Sequence, residues 1–259
     1  MSKIAAPERF SFLCSGIFVV CMATLMYELL LTRIFSVLMW YHFASMAISL
    51  ALFGLGASAL LVYLRPVWFS ADKVKQPGFF ALAAGLSTLL LFSVFLLFRA
   101  DPQFGFRILS FFHQPFYQPF QQGNVRQSLE VGQLLLLTLL YLATAMPFFF
   151  SGLVVTLLFG RYHRQIGRLY FYDLLGAGTG CLLIILVLKL VGGITGLLVV
   201  GLCFVLGAFL LTPKQSRMRH LLVAVAMLLL TLGVGNQIGG FADIHFARGR
   251  YEPNLLWRS

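Results

Sequence analysis

Long apolar runs, each broken by a short polar or basic segment, recur down the whole chain. They cover roughly residues 10–32, 40–64, 79–98, 130–159, 169–188, 193–211 and 220–239. A helix rising 1.5 Å per residue needs roughly 20 apolar residues to cross a ~30 Å hydrocarbon core, and most of these runs reach that length. The pattern predicts an all-α fold, a polytopic transmembrane helix bundle of about seven spans. Residues 1–240 form the helical domain and 241–259 a tail. The fourth run is too long for one straight span and contains Pro147, which predicts a kinked helix or one extending past the bilayer.

Composition excludes the soluble alternative. Hydrophobic residues make up 60% of the 259 and charged residues only 10%, where a soluble domain carries about 25% charged residues. The net charge of +11 raises the question of nucleic acid. The basic residues, however, sit in short clusters between apolar runs, as they do when they face lipid headgroups, and no nucleic-acid partner is expected. The lipid bilayer is the expected partner. Lys3 and Arg9, then Arg65, Lys73 and Lys75, then Arg161, Arg164 and Arg168, then Lys214, Arg217 and Arg219 fall in alternate connections. The positive-inside bias therefore predicts a multi-pass protein of the inner or plasma membrane with a cytoplasmic N-terminus. Seven spans put the tail outside, although it carries Arg248, Arg250 and Arg258. The first apolar run has full span length and no small-residue cleavage site, so it reads as a span and not as a cleaved leader. The one long connection, 99–127, mixes seven aromatic residues with Pro102, Pro115 and Pro119. It reads as an interfacial loop, with a lid over an external opening as the alternative.

Ionisable groups inside spans are costly in lipid and mark candidate sites. They are Glu28, His42 and Asp173, with Lys189 at a span edge. Cys14, Ile17, Cys21, Thr24 and Glu28 follow helical 3-4 spacing, which gathers them on one face and predicts that Glu28 points into the bundle. Arg33 falls about 140° from Glu28 on the wheel and is expected to snorkel to the outer interface. Asp173 shares a face with Gly176, Ala177 and Gly180 and is expected to pair with Arg168 or another cation at the cytoplasmic side. His42, beside Trp40 and Tyr41, reads as an interface residue. Small residues line further seams: Ala44, Ala47, Ala51, Gly54 and Ser58 in the second span, and Gly193, Gly196, Val200, Cys203 and Gly207 in the sixth. Such seams let helix backbones approach closely. Two readings of Glu28 and Asp173 stand side by side, a buried structural pairing and a role in binding or proton handling.

The run Asp173-Leu-Leu-Gly-Ala-Gly-Thr-Gly180 looks like a glycine-rich nucleotide loop. Such a loop needs a preceding strand and an exposed turn. Here it lies within a continuous apolar run, so Gly176 and Gly180 read as a G-x-x-x-G helix contact. Cys14, Cys21, Cys181 and Cys203 all lie in apolar runs, and the five histidines are scattered without ligand spacing. No catalytic or metal-binding set emerges and no cofactor is expected in this chain.

Two stretches carry a family resemblance. One runs from Tyr27-Glu-Leu-Leu-Leu-Thr-Arg33 through Trp40-Tyr-His-Phe43 to Ala51-Leu-Phe-Gly-Leu-Gly-Ala57. The other is Pro147-Phe-Phe-Phe-Ser-Gly152 followed by Gly167-Arg-Leu-Tyr-Phe-Tyr-Asp-Leu-Leu-Gly-Ala177. Together they resemble the membrane module of the bacterial fused, multi-span spermidine synthase-like proteins, in which such a module precedes a soluble aminopropyltransferase-fold domain. The resemblance implies a module that anchors or regulates that enzyme domain, fused or separate, in polyamine biosynthesis. Residues 241–259 would then be the junction to a soluble domain absent from this chain, and no catalytic residue carries over. Tyr27, Glu28, Arg33, His42, Arg168, Tyr170 and Asp173 match by position. The alternative expectation is a small-solute transporter for a polyamine or another cation.

Overall fold

A computed structural model describes residues 7–38, 44–69, 76–100, 131–213, 216, 218–239, 246–247 and 250–251. Within them seven long helices follow in order: α1 Pro7–Leu38, α2 Ala44–Leu64, α3 Gln76–Ala100, α4 Val131–Arg161, α5 Ile166–Val191, α6 Gly193–Leu211 and α7 Met218–Gly239. Short 3-10 turns cover Pro66–Phe69 and His163–Gln165, and a two-residue antiparallel pair joins Phe246–Ala247 to Arg250–Tyr251. All seven helices are long and apolar enough to cross a membrane, with candidate spans Phe10–Ser36, Ser45–Leu64, Gln76–Val94, Thr138–Arg161, His163–Val191, Gly193–Leu211 and Met218–Gly239. The fold is the all-helical membrane bundle that the apolar pattern predicts.

Helix ends follow local chemistry. Arg65 precedes Pro66, a position biased away from helical geometry, and α2 stops at Leu64. α5 ends at Gly192, whose φ of 79° is open to glycine without a Cβ clash, and its N–H reaches the Leu188 carbonyl at 3.2 Å. The chain then turns directly into α6. α4 runs unbroken through Pro147; at 31 residues it is about 46 Å long, so the long fourth run is an extended helix that outreaches the hydrocarbon core.

α1 is the hub. It packs on α5, α6, α2 and α4; α3 lies between α4 and α6, α2 lies on α4, and α7 lies on α6. Ile17, Val20, Ala23, Tyr27, Leu30, Leu31 and Ile34 of α1 are completely buried. The outward faces of α2, α5 and α7 instead carry large apolar side chains, such as Leu52, Phe53, Leu182, Ile185, Met227 and Val234. Those faces suit lipid contact.

Buried hydroxyls are satisfied within their own helices, as an apolar surrounding demands. Thr24 donates to the Val20 carbonyl at 2.8 Å, Thr144 to Leu140 at 2.7 Å and Thr212 to Ala208 at 2.7 Å.

Candidate functional site

The chemically interesting groups collect on α1. On the side facing α5, glycines let two backbones touch. A Cβ placed on Gly176 would strike the Phe18 carbonyl oxygen, and one on Gly180 would lie 2.5 Å from that of Met22. The two helices run parallel through this contact, since 18 and 22 on one match 176 and 180 on the other. Their approach sets the Cys21 thiol beside the Asp173 carboxylate. Asp173 is partly buried and Cys21 buried, so a weak thiol donor lies near an acid that lipid cannot solvate.

The expected pairing of Asp173 with Arg168 is corrected here. Five residues separate the two on α5, which sets them about 140° apart. Arg168 is exposed and makes no ion pair with Asp173.

On the side facing α4, Tyr27 is completely buried. Its hydroxyl donates to the Thr144 carbonyl at 3.2 Å, and its ring lies 4.9 Å from that of Phe148. Thr144 and Phe148 flank Pro147, which has no N–H to give its own helix. The missing N–H leaves the Ala143 carbonyl without its helical donor, and the phenol docks on the neighbouring carbonyl of Thr144. α2 closes the same region. Gly54 is buried with its Cα facing Phe148 and Phe149, where a Cβ would come within 2.7 Å of the Phe148 Cβ, and Gly152 meets the buried Ser58.

Glu28 lies between these two faces. Seven residues beyond Cys21, it has nearly the same azimuth. Cys14, Ile17, Cys21 and Thr24 along this stripe are buried, but Glu28 and Thr32 are only partly so. The expectation of an inward-pointing Glu28 is corrected to a marginal one. α5 touches α1 at Gly176 and Gly180, and farther along Val187 of α5 and Leu30 of α1 both reach Gly196 of α6. Among the described residues Glu28 has no ion pair or hydrogen bond.

Arg33 is exposed, near the end of the first span. Tyr170 is also exposed, on α5. Gly193 and Gly196 are buried in the first turn of α6, the latter against Leu30 of α1. His42, the aromatic segment 101–127 and most of the tail lie outside the described residues. Among the described residues no three His, Cys, Asp or Glu side chains gather where a metal ion could bind.

One polar link escaped the sequence reading. Asn236 of α7 is buried and donates from Nδ2 to Thr195 Oγ1 of α6 at 2.8 Å. The signal was a lone amide in an apolar span, which needs a partner as surely as a charge does.

No family model, curated protein or solved structure matches this chain.

Proposed function

We propose that this chain is the membrane module of a spermidine synthase-like system, anchoring or regulating an aminopropyltransferase-fold enzyme domain. One observation carries the reading: the two stretches behind the family resemblance pack on each other. Tyr27 and Gly54 of the first meet Phe148 and Phe149 of the second, while Asp173 of the second returns to Cys21 on α1. These motif residues are engaged in helix contacts, which suits a rigid anchor. The basic connections support insertion in the inner or plasma membrane with a cytoplasmic N-terminus.

The test follows aminopropyl transfer from decarboxylated S-adenosylmethionine to putrescine in fractionated cells. Activity is expected to sediment with membranes when the chain is present and to leave them when it is deleted. An unchanged distribution would remove the anchoring role.

A second reading rests on Glu28, a carboxylate at the margin of the bundle with no partner among the described residues. A polyamine or similar cation would neutralise it, and the chain would then act as a transporter. Proteoliposomes would take up labelled spermidine, and Glu28→Gln would reduce the rate at least about tenfold. Equal uptake by both proteins would end this reading.

A further inference from the structure

Three span ends meet at a corner far from Glu28. α3 enters it at Gly78, where a Cβ would press on Thr212 Oγ1, with the Met218 Cε at 3.2 Å and the Ala208 carbonyl at 3.3 Å. The first turn of α3, the last turn of α6 and the first turn of α7 are thereby held together. All three are ends of candidate spans, so the corner lies at headgroup depth. The 3-10 turn Pro66–Phe69 is tied to it. Gln76 Nε2 donates to the Trp68 carbonyl at 2.9 Å, and the Phe69 and Phe80 rings lie 6.1 Å apart.

The chemistry of this corner is cationic and unfinished. The Arg219 guanidinium sits 4.4 Å from the Phe209 ring centroid, which fixes its plane. Its Nε is buried and has no hydrogen-bond partner among the described residues, and the same holds for Gln76 Oε1. A guanidinium N–H shut from water and left unpaired is costly, and a phosphate oxygen is the partner its fork geometry matches best. At the rim the Arg65 guanidinium lies 5.5 Å from the ring of Trp68, which is exposed. In sequence, the connections 65–75 and 212–219 hold Arg65, Lys73, Lys75, Lys214, Arg217 and Arg219 against the single acid Asp72. Beside the corner, Phe79 of α3 and Leu221 of α7 are exposed, apolar surface at the level where acyl chains begin.

We infer that the α3–α6–α7 corner binds the phosphate of an anionic phospholipid headgroup. Arg219 donates to the phosphate, Phe209 holds the guanidinium flat, and Trp68 with Arg65 borders the headgroup. Gln76 Oε1 accepts from a headgroup hydroxyl, which favours phosphatidylglycerol-type lipids. Free phosphate offers the same oxygens but not the acyl chains that Phe79 and Leu221 await.

The full chain in an uncharged detergent decides this. Native mass spectrometry counts retained phosphatidylglycerol against phosphatidylcholine, and thermal melting is followed with each lipid and with inorganic phosphate. The wild type is expected to prefer phosphatidylglycerol and to be stabilised by it, with inorganic phosphate adding little. Arg219→Gln should lose about fivefold of that preference. Arg33→Gln, a cation toward the opposite end of the bundle, should keep it. Phe209→Leu retains the charge but frees the guanidinium, and a partial loss is expected even if Arg219→Gln fails to fold. Undiminished preference in a folded Arg219→Gln or in Phe209→Leu would overturn the site. Equal stabilisation by inorganic phosphate would overturn its assignment to a lipid.

Discussion

α5 and α6 are consecutive helices joined at a single glycine, both strongly apolar, yet they occupy opposite places in the bundle. In the apolar windows, 67% of α6 is buried and only 17% of α5. Hydrophobicity does not separate them, and in a bilayer it has no reason to, because lipid tails are as apolar as leucine. What differs is where the small residues lie. α6 has them on several sides: Gly207 meets Val20 of α1, Gly201 meets Thr88 of α3, and Thr195 takes the Asn236 bond from α7. α5 has one close-contact face, Gly176 and Gly180 against α1. Its remaining surface carries Leu174, Leu175, Leu182, Ile185 and Leu186, all exposed. A membrane helix is buried on as many sides as its small residues allow another backbone to approach.

The largest effects should come from filling those contacts. Gly176→Val places a branched side chain on the Phe18 backbone carbonyl, which cannot rotate away. Loss of about 3 kcal/mol is expected in reversible unfolding from mixed micelles. Gly178, two residues on, has open space at the same position. Gly178→Ala should be neutral or more stable by up to about 1 kcal/mol, the helix-propensity difference. If both variants lost equal stability, α5 would not be one-sided. On α6, Gly201→Val meets Thr88 Oγ1 and, at 3.3 Å, Leu229; it should cost about as much as Gly176→Val.

Polar links between helices should matter less. Asn236→Leu removes the side chain–side chain hydrogen bond to Thr195 that links α7 to α6. Its expected cost is about 1 kcal/mol in the same unfolding assay, since such bonds in membranes are modest. Tyr27→Phe keeps the ring against Phe148 and loses only the 3.2 Å bond to Thr144. A cost of about 0.6 kcal/mol is expected. A much larger loss would mean that the phenol also holds α4 in shape at Pro147.

The seven helices were legible in the sequence because span length is a local property, and the α2 seam at Ala47, Ala51, Gly54 and Ser58 because face periodicity is one too. Neighbour identity is not local. Cys21 was read as a small apolar residue and Asp173 was assigned a cation, since nothing in either run says that α5 will lie on α1. Asn236 carries no charge to mark it in the sequence, although an amide in lipid has the same need for a partner. Glu28 failed for a third reason. Its azimuth matches that of buried Cys21, but azimuth alone does not tell how much cover a neighbouring helix gives at each level along the axis.

The smallest expected effect is also the most discriminating. Leu182 is 72% exposed on α5, and in water such a leucine would be an exposed apolar liability. In a bilayer it contacts acyl chains whether the protein is folded or its helices are separated. Leu182→Ala therefore removes little that folding gains, and less than about 0.5 kcal/mol is expected by unfolding in mixed micelles. Leu197→Ala on α6, at a fully buried position, removes packed contacts and leaves a cavity costing about 2–5 kcal/mol. The ratio of these two losses measures the difference between α5 and α6 directly. Were Leu182→Ala to cost as much as Leu197→Ala, the exposed face of α5 would be covered by another protein surface in the membrane, and the lipid-facing assignment of that face would fall.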